Sequence, residues 1–148
     1  MKKEKKTIIM GNDHAAYHLK IIIRAFLAKK GFDVKDAGVD SPESSDYPDY
    51  GIKVAESVSA GKFERGILMC GTGIGMSMVA NRFPHVRAAL CNGLFAAIMS
   101  RRHNDSNILV MGGRVIGEGL ALEMTKAWLE TPFDGGRHKA RLDIFDSV

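Results

Sequence analysis

The chain has no apolar run approaching the roughly 18–20 residues that a membrane-spanning helix needs, so the sequence predicts no membrane span. Its first apolar stretch, Thr7-Ile8-Ile9-Met10, is too short for a signal-peptide core despite the lysines before it. There are 2 cysteines in 148 residues, too few for a disulfide framework, and both close apolar runs. That usage predicts strand-end or buried thiols in a reducing, cytoplasmic setting. Aromatics make up 7% and the net charge is only +4, so no stacking platform or basic face for nucleic acid is evident. The one dense basic run, Lys2-Lys3-Glu4-Lys5-Lys6, reads as a solvated tail. A small anionic ligand accounts for this balance better than a nucleic acid does. With 45% hydrophobic and 26% charged residues, the remainder has ordinary globular composition. The length fits a single domain over residues 1–148, behind a polar extension of residues 1–6.

Glycine is plentiful at 16 residues and falls at the ends of apolar runs. Residues 7–10 form a β-branched run ending at Gly11. Leu19, Ile22, Ile23, Phe26 and Leu27 then follow the i, i+3, i+4, i+7 spacing of an amphipathic helix. Lys20, Arg24, Lys29 and Lys30 are assigned to its wet face and Gly31 to its C-cap. Residues 32–36 read as a second strand and 38–49 as a polar loop holding Tyr47. A helix through Val54, Ala55 and Val58 ends at Gly61. The pattern repeats with strands at 66–70, 86–91 and 108–111, and helices at 76–83, 94–99 and 120–129. Met69, Met76, Met78 and Met99 fall on apolar faces and read as core. Short apolar strands alternating with amphipathic helices predict parallel βαβ units. The expected fold is a single-domain α/β sandwich, doubly wound, with a five-stranded parallel sheet and helices on both faces.

In such sheets ligands bind outside the carboxyl ends of the strands. The candidates are Asp13 and His14, Cys70 with its glycine loop, and Arg114 after strands, His103 to Asp105 at the end of the fourth strand's helix, and Arg137 to Arg141 in the tail. The sequence reading gathers all of them at one rim. Residues 71–75 lead from a strand into a helix, where free N–H groups and the helix dipole favour an anion. The loop lacks a Gly-Lys-Ser/Thr ending, and Met76 stands where a G-x-G-x-x-G motif needs its last glycine. A tight structural turn explains the loop equally well. Cys70 precedes it, at the kind of helix N-terminus that activates thiols, whereas Cys91 ends its own apolar run and reads as structural. Asp13 and His14 also suit an N-cap and first turn, and His103 a helix C-terminus. Arg137 and Arg141, spaced i, i+4, project from one side of a helix, as a phosphate clamp or as a solvated tail. Neither cysteine has a close partner, and no metal site is predicted. No G-x-S-x-G nucleophile elbow is present either.

Taken in order, these motifs resemble the type B ribose-5-phosphate isomerases, which share a fold with the galactose-6-phosphate isomerase subunits. The resemblance spans about residues 8 to 141. It rests on Asp13-His14, Asp46-Tyr47-Pro48, Cys70-Gly71-Thr72-Gly73-Ile74-Gly75, Arg101-Arg102-His103-Asn104-Asp105, Gly112-Gly113-Arg114-Val115 and Gly135-Gly136-Arg137-His138 with Arg141. It implies a Rossmann-like or flavodoxin-like domain, acting as a homodimer or tetramer with its active site between subunits. His103 and Asn104 then serve the neighbour's pocket. Cys70 looks like the base that moves a proton between C1 and C2 of an open-chain sugar phosphate. Backbone N–H groups of Gly71, Gly73 and Gly75 hold the enediolate, and Thr72 assists proton transfer. His103, with Asp13, resembles the acid–base that opens the furanose ring. His14, Arg137 and Arg141 match phosphate-binding positions, with Arg114 an addition, and Tyr47 matches a sugar contact. No cofactor is implied.

Gly75 and Met76 stand where a glutamate-using branch carries its carboxylate, which places this chain with the thiol users. Asn12 replaces a cysteine common in relatives. The implied reaction interconverts ribose 5-phosphate and ribulose 5-phosphate, in pentose phosphate metabolism. Residues 38–45 border the sugar pocket and leave allose 6-phosphate, galactose 6-phosphate and tetrulose phosphates as alternatives. A non-catalytic phospho-sugar binding module is the competing reading from another class.

Overall fold

Two five-residue runs are buried along their whole length, which requires strands covered on both faces: β3 (Gly66–Cys70) and β5 (Ile108–Gly112). In the computed structural model, which describes residues 6–148, they pair in parallel at the centre of the sheet. β1 (Thr7–Asn12) joins β3, while β2 (Asp33–Asp36) and β4 (Ala88–Leu90) form the two edges. The order is β2-β1-β3-β5-β4, parallel throughout. Residues 2–5 of the basic run lie outside the described residues, and its last member, Lys6, is exposed.

Side chains alternate between the faces with the two-residue period of a pleated strand. Ile8, Met10, Ile67, Met69, Leu109 and Met111 meet Leu19, Ile23 and Leu27 of α1 (Tyr17–Lys29), Ala97 of α4 (Leu94–Arg102), and Met124 and Trp128 of α5 (Glu118–Glu130). On the other face Ile9, Leu68, Cys70, Ile108 and Val110 meet Val54 and Val58 of α2 (Tyr47–Ser59), and Met76 and Ala80 of α3 (Ile74–Ala80). A last helix, α6 (Arg137–Phe145), follows a turn in which Gly135 and Gly136 have φ of 68° and 55°. Among the described residues, no helix is long and apolar enough to cross a membrane.

Several local expectations are corrected. Tyr47 does not sit in a loop: it opens α2, with Pro48 in the first turn. α3 begins at Ile74 rather than 76, because Gly73 (φ 80°) turns the chain directly into the helix. β4 covers three residues, since Asn107 side-chain oxygen already takes the Arg87 N–H. Lys20 is not on the wet face but buried, bonded to Asp36 and to the Val39 carbonyl. Met78 is not core: it is 67% exposed.

Parallel strands also decide which end of the sheet each loop reaches. Every helix must return from the carboxyl edge to the amino edge, so residues after a strand and residues after a helix lie at opposite ends. His103 and Asn104 follow α4, and Arg137 and Arg141 follow α5. The expected gathering of all candidates at one rim is therefore overturned.

Candidate active site

At the carboxyl rim, Cys70 ends the central strand with 4% of its surface exposed. The Gly73 N–H donates to its Sγ at 3.2 Å, which fixes where the sulfur points. Thr72 Oγ1 accepts from the Ile74 N–H at 3.2 Å, and the Thr72 side chain stays at the surface. The loop is locked from β5: the Gly113 N–H bonds the Cys70 carbonyl at 2.8 Å and the Arg114 N–H bonds the Gly71 carbonyl at 2.9 Å. Gly112 has no room for a side chain, since a Cβ there would stand 2.6 Å from the Thr72 oxygen. At Gly75 the obstacle is a side chain, since a Cβ there would meet the Tyr47 ring at 2.5 Å. Tyr47 is thus laid directly on the glycine loop, and Arg114 lies against Gly71.

Asp13 and His14 enter from the neighbouring strand. The Asp13 N–H bonds the Met69 carbonyl at 3.3 Å, and its carboxylate caps the short 3-10 turn His14–Ala16 by accepting from Ala15. His14 is held by Ser45: the His14 N–H donates to Ser45 Oγ at 3.1 Å, and the Ser45 N–H donates to His14 Nδ1 at 3.1 Å. A backbone amide only donates, so the neutral imidazole carries its proton on Nε2. His14 and His18 have the i, i+4 spacing of a helical metal pair, but His14 lies in the 3-10 turn with Nδ1 occupied while His18 is exposed on α1.

The remaining candidates form a second cluster at the amino edge. Arg101 is buried and bonds the Ser106 and Thr131 carbonyls and Asp105. Trp128 Nε1 donates to Ser106 Oγ at 2.8 Å, and Arg87 bridges Asp105 and Asp146. This network holds the turn that presents His103 and Asn104. The burial of Arg101 beneath Trp128 is not visible in the sequence spacing. Asp134 pairs with Arg102 at 3.0 Å, and its N–H bonds the Arg102 carbonyl, fastening the tail to the end of α4. The His138 imidazole stacks on His103 with centroids 4.2 Å apart and planes 9° apart.

Burial first, then the positive neighbours His103, Arg137 and Arg141, hold the His138 imidazole below its ordinary value, with Asp134 opposing. The hydrogen bond from Arg102 pulls the Asp134 carboxyl below the usual range. His103, Asp134 and His138 bring ligand atoms within 4.8 Å of one another, close enough for a metal ion. Arg102, Arg137 and Arg141 crowd the same spot, so the local field suits an anion instead.

The two clusters cannot meet within one chain. Five residues of β5 separate the rims, about 15 Å of strand, farther than side chains bridge. Cys70, Thr72, Asp13, His14, Tyr47, Arg114 and the glycines share one rim, while His103, Asn104, Arg137 and Arg141 share the other.

The sequence profile of the ribose/galactose isomerases matches residues 8–145. The chain belongs to that family. It is similar to ribose-5-phosphate isomerase B of Escherichia coli, 43% identical over 143 residues, or 97% of this chain and 96% of the relative. D-erythrulose-4-phosphate isomerase of Pectobacterium atrosepticum is 43% identical over 131 residues, 88% of this chain and 86% of the relative. Among solved structures, ribose-5-phosphate isomerase B of Clostridium thermocellum superposes with a TM-score of 0.93 at 49% identity, covering 95% of each chain. The protein is a sugar-phosphate isomerase of the aldose–ketose type, with the α/β fold of the type B enzymes. Family membership makes the two separated clusters, one around Cys70 and one around His103 and His138, the places to seek the isomerase's chemistry.

Proposed function

We propose that the enzyme interconverts ribose 5-phosphate and ribulose 5-phosphate at a site built from two copies of the chain. The observation that carries this reading is the split itself. An isomerase of a cyclic aldose phosphate needs a base at carbon, an acid–base for ring opening and a phosphate clamp, and here the first lies at the carboxyl rim while His103 and the arginines lie at the amino edge. A second copy brings its His103, Asn104, Arg137 and Arg141 to the Cys70 rim of the first. Exposed apolar residues beside that rim, Ile74 and Met78 on α3 and Leu94 and Phe95 on α4, offer the surface such a copy covers.

In this reading His103, with Asp13, moves the ring proton and frees the C1 aldehyde. The Cys70 thiolate takes the proton from C2, and the bonding pair moves toward C1, leaving negative charge on O1. Backbone N–H groups of the glycine loop stabilise that oxygen where the charge develops. Thr72 passes a proton between O1 and O2, and Cys70 returns its proton to C1, leaving the ketone at C2. His14 presents Nε2–H to the phosphate with Arg114, Arg137 and Arg141, and Tyr47 contacts the sugar. All of this is proton transfer within one substrate, so no cofactor enters, and a cytoplasmic role in pentose phosphate metabolism follows from the reaction.

Support for the pentose comes from the names of the Escherichia coli and Clostridium relatives and from His103, Arg137 and Arg141 standing together on one edge. The Pectobacterium relative's name makes the tetrose phosphate the informative competitor. Turnover of ribose 5-phosphate with EDTA present is expected to exceed that of erythrulose 4-phosphate, allose 6-phosphate and galactose 6-phosphate. A preference for another of these keeps the mechanism and moves the substrate; silence on all four, with tight sugar-phosphate binding, returns the binding module.

A further inference from the structure

We propose that His138 is a positioning residue that holds the His103 imidazole for ring opening. The inference rests on the reading of His103 as the ring-opening acid–base. His138 is the second residue of α6, and its side chain turns inward, 9% exposed, while Arg137 and Lys139 on either side face solvent. Its ring lies parallel to His103 at 4.2 Å. A face-to-face contact fixes the tilt of an imidazole without consuming either nitrogen, whereas a hydrogen-bonding partner would occupy one of them. A residue that must donate and accept a proton on an incoming substrate gains from the first arrangement.

The rest of the local structure is built to keep the two rings together. His103 caps α4 through its N–H to the Met99 carbonyl, at the mouth of the buried Arg101 network. His138 is brought to it by the left-handed Gly135 and Gly136, by its own N–H on the Gly135 carbonyl, and by Asp134, which ties the segment to Arg102 through backbone and side chain. Arg137 and Arg141 leave the same helix toward the phosphate, so α6 sets the clamp and the imidazole together.

The test uses the difference between the two substrates. Ribose 5-phosphate is mainly a closed furanose. Ribulose 5-phosphate is acyclic, because the oxygen that would close its five-membered ring carries the phosphate. Exchange of its C1 hydrogen with D2O needs the Cys70 chemistry alone. In His138→Ala, kcat for ribose 5-phosphate is expected to fall about tenfold or more with KM changed less than about threefold, while C1 exchange in ribulose 5-phosphate stays within about twofold of wild type. His138→Phe, which keeps a flat ring on His103 without a titrating group, is expected to recover most of the loss. Equal loss in both assays, unchanged ribose 5-phosphate turnover, or a Phe variant no better than Ala would each overturn the proposal. His103→Ala run alongside separates the two readings. If it lowers ribose 5-phosphate turnover and spares exchange while His138→Ala does nothing, only the positioning role fails. If His103→Ala leaves both intact, the ring-opening assignment itself is wrong.

Discussion

Cys70 and Cys91 show how little a residue type says without its place. Both are buried, on opposite faces of the same sheet, yet Cys70 ends a strand at the glycine loop and Cys91 packs among α1, α4 and α5 residues. Burial pushes the Cys91 thiol up to about 11, with a weaker opposing hydrogen bond from Ser100. Below pH 9 this thiol is protonated in both the folded and unfolded chain, and its burial is in full force. Between pH 9 and about 11 the unfolded chain loses the proton first, so stability falls with rising pH. Urea unfolding at pH 8 and pH 10.5 should therefore show a smaller alkaline loss in Cys91→Ala than in wild type. Cys70→Ala should keep its far-UV circular dichroism and lose at least about a hundredfold in kcat, measured by ketose formation, since general-base catalysis contributes on that order. The position of Cys70 before a glycine loop was legible in the sequence; the amide aimed at its sulfur was not.

At the scale of elements, the segment from β2 to α2 borders the Cys70 rim and is fastened at both ends. Lys20 reaches from α1 to Asp36 and the Val39 carbonyl, and Ser45 holds His14. Gly38 leaves space for Asn12, whose Oδ1 would sit 1.8 Å from a Cβ there. Lys20→Ala strips the half-buried Asp36 of its buried cation, leaving it Arg24 and the Gly38 N–H, and should destabilise the fold by about 2 kcal/mol in urea titration. The double variant with Asp36→Ala should lose less than the sum of the singles. Gly75→Ala drives a methyl into the Tyr47 ring, and a severalfold rise in KM with stability nearly unchanged is the expected kinetic result. The central strands and the faces of α1, α2 and α5 could be read from periodicity, because full burial leaves unbroken apolar runs. Lys20 and Met78 could not. A long amphipathic side chain and a flexible thioether suit either environment, and only the neighbouring elements decide.

For the whole molecule the decisive test is complementation. Cys70→Ala and His103→Ala chains, each inactive alone, should recover about a quarter of wild-type activity when dissociated and remixed. Half the pairs are then unlike, and each unlike pair regains one complete site. No recovery, with mixed pairs confirmed by mass, rules out a site shared between copies. The sequence alone determined the βαβ alternation, the parallel sheet, the family and the identity of nearly every candidate residue, because these depend on local periodicity and on motifs a few residues long. It misplaced the candidates relative to one another, although the predicted parallel sheet already sends a loop that follows a helix, such as that of His103, to the amino edge. Only the tertiary structure decided that the His138 ring lies on His103 and that Lys20 is buried against Asp36. The physical reason is that each contact joins segments far apart in the chain, and packing alone sets where those segments meet.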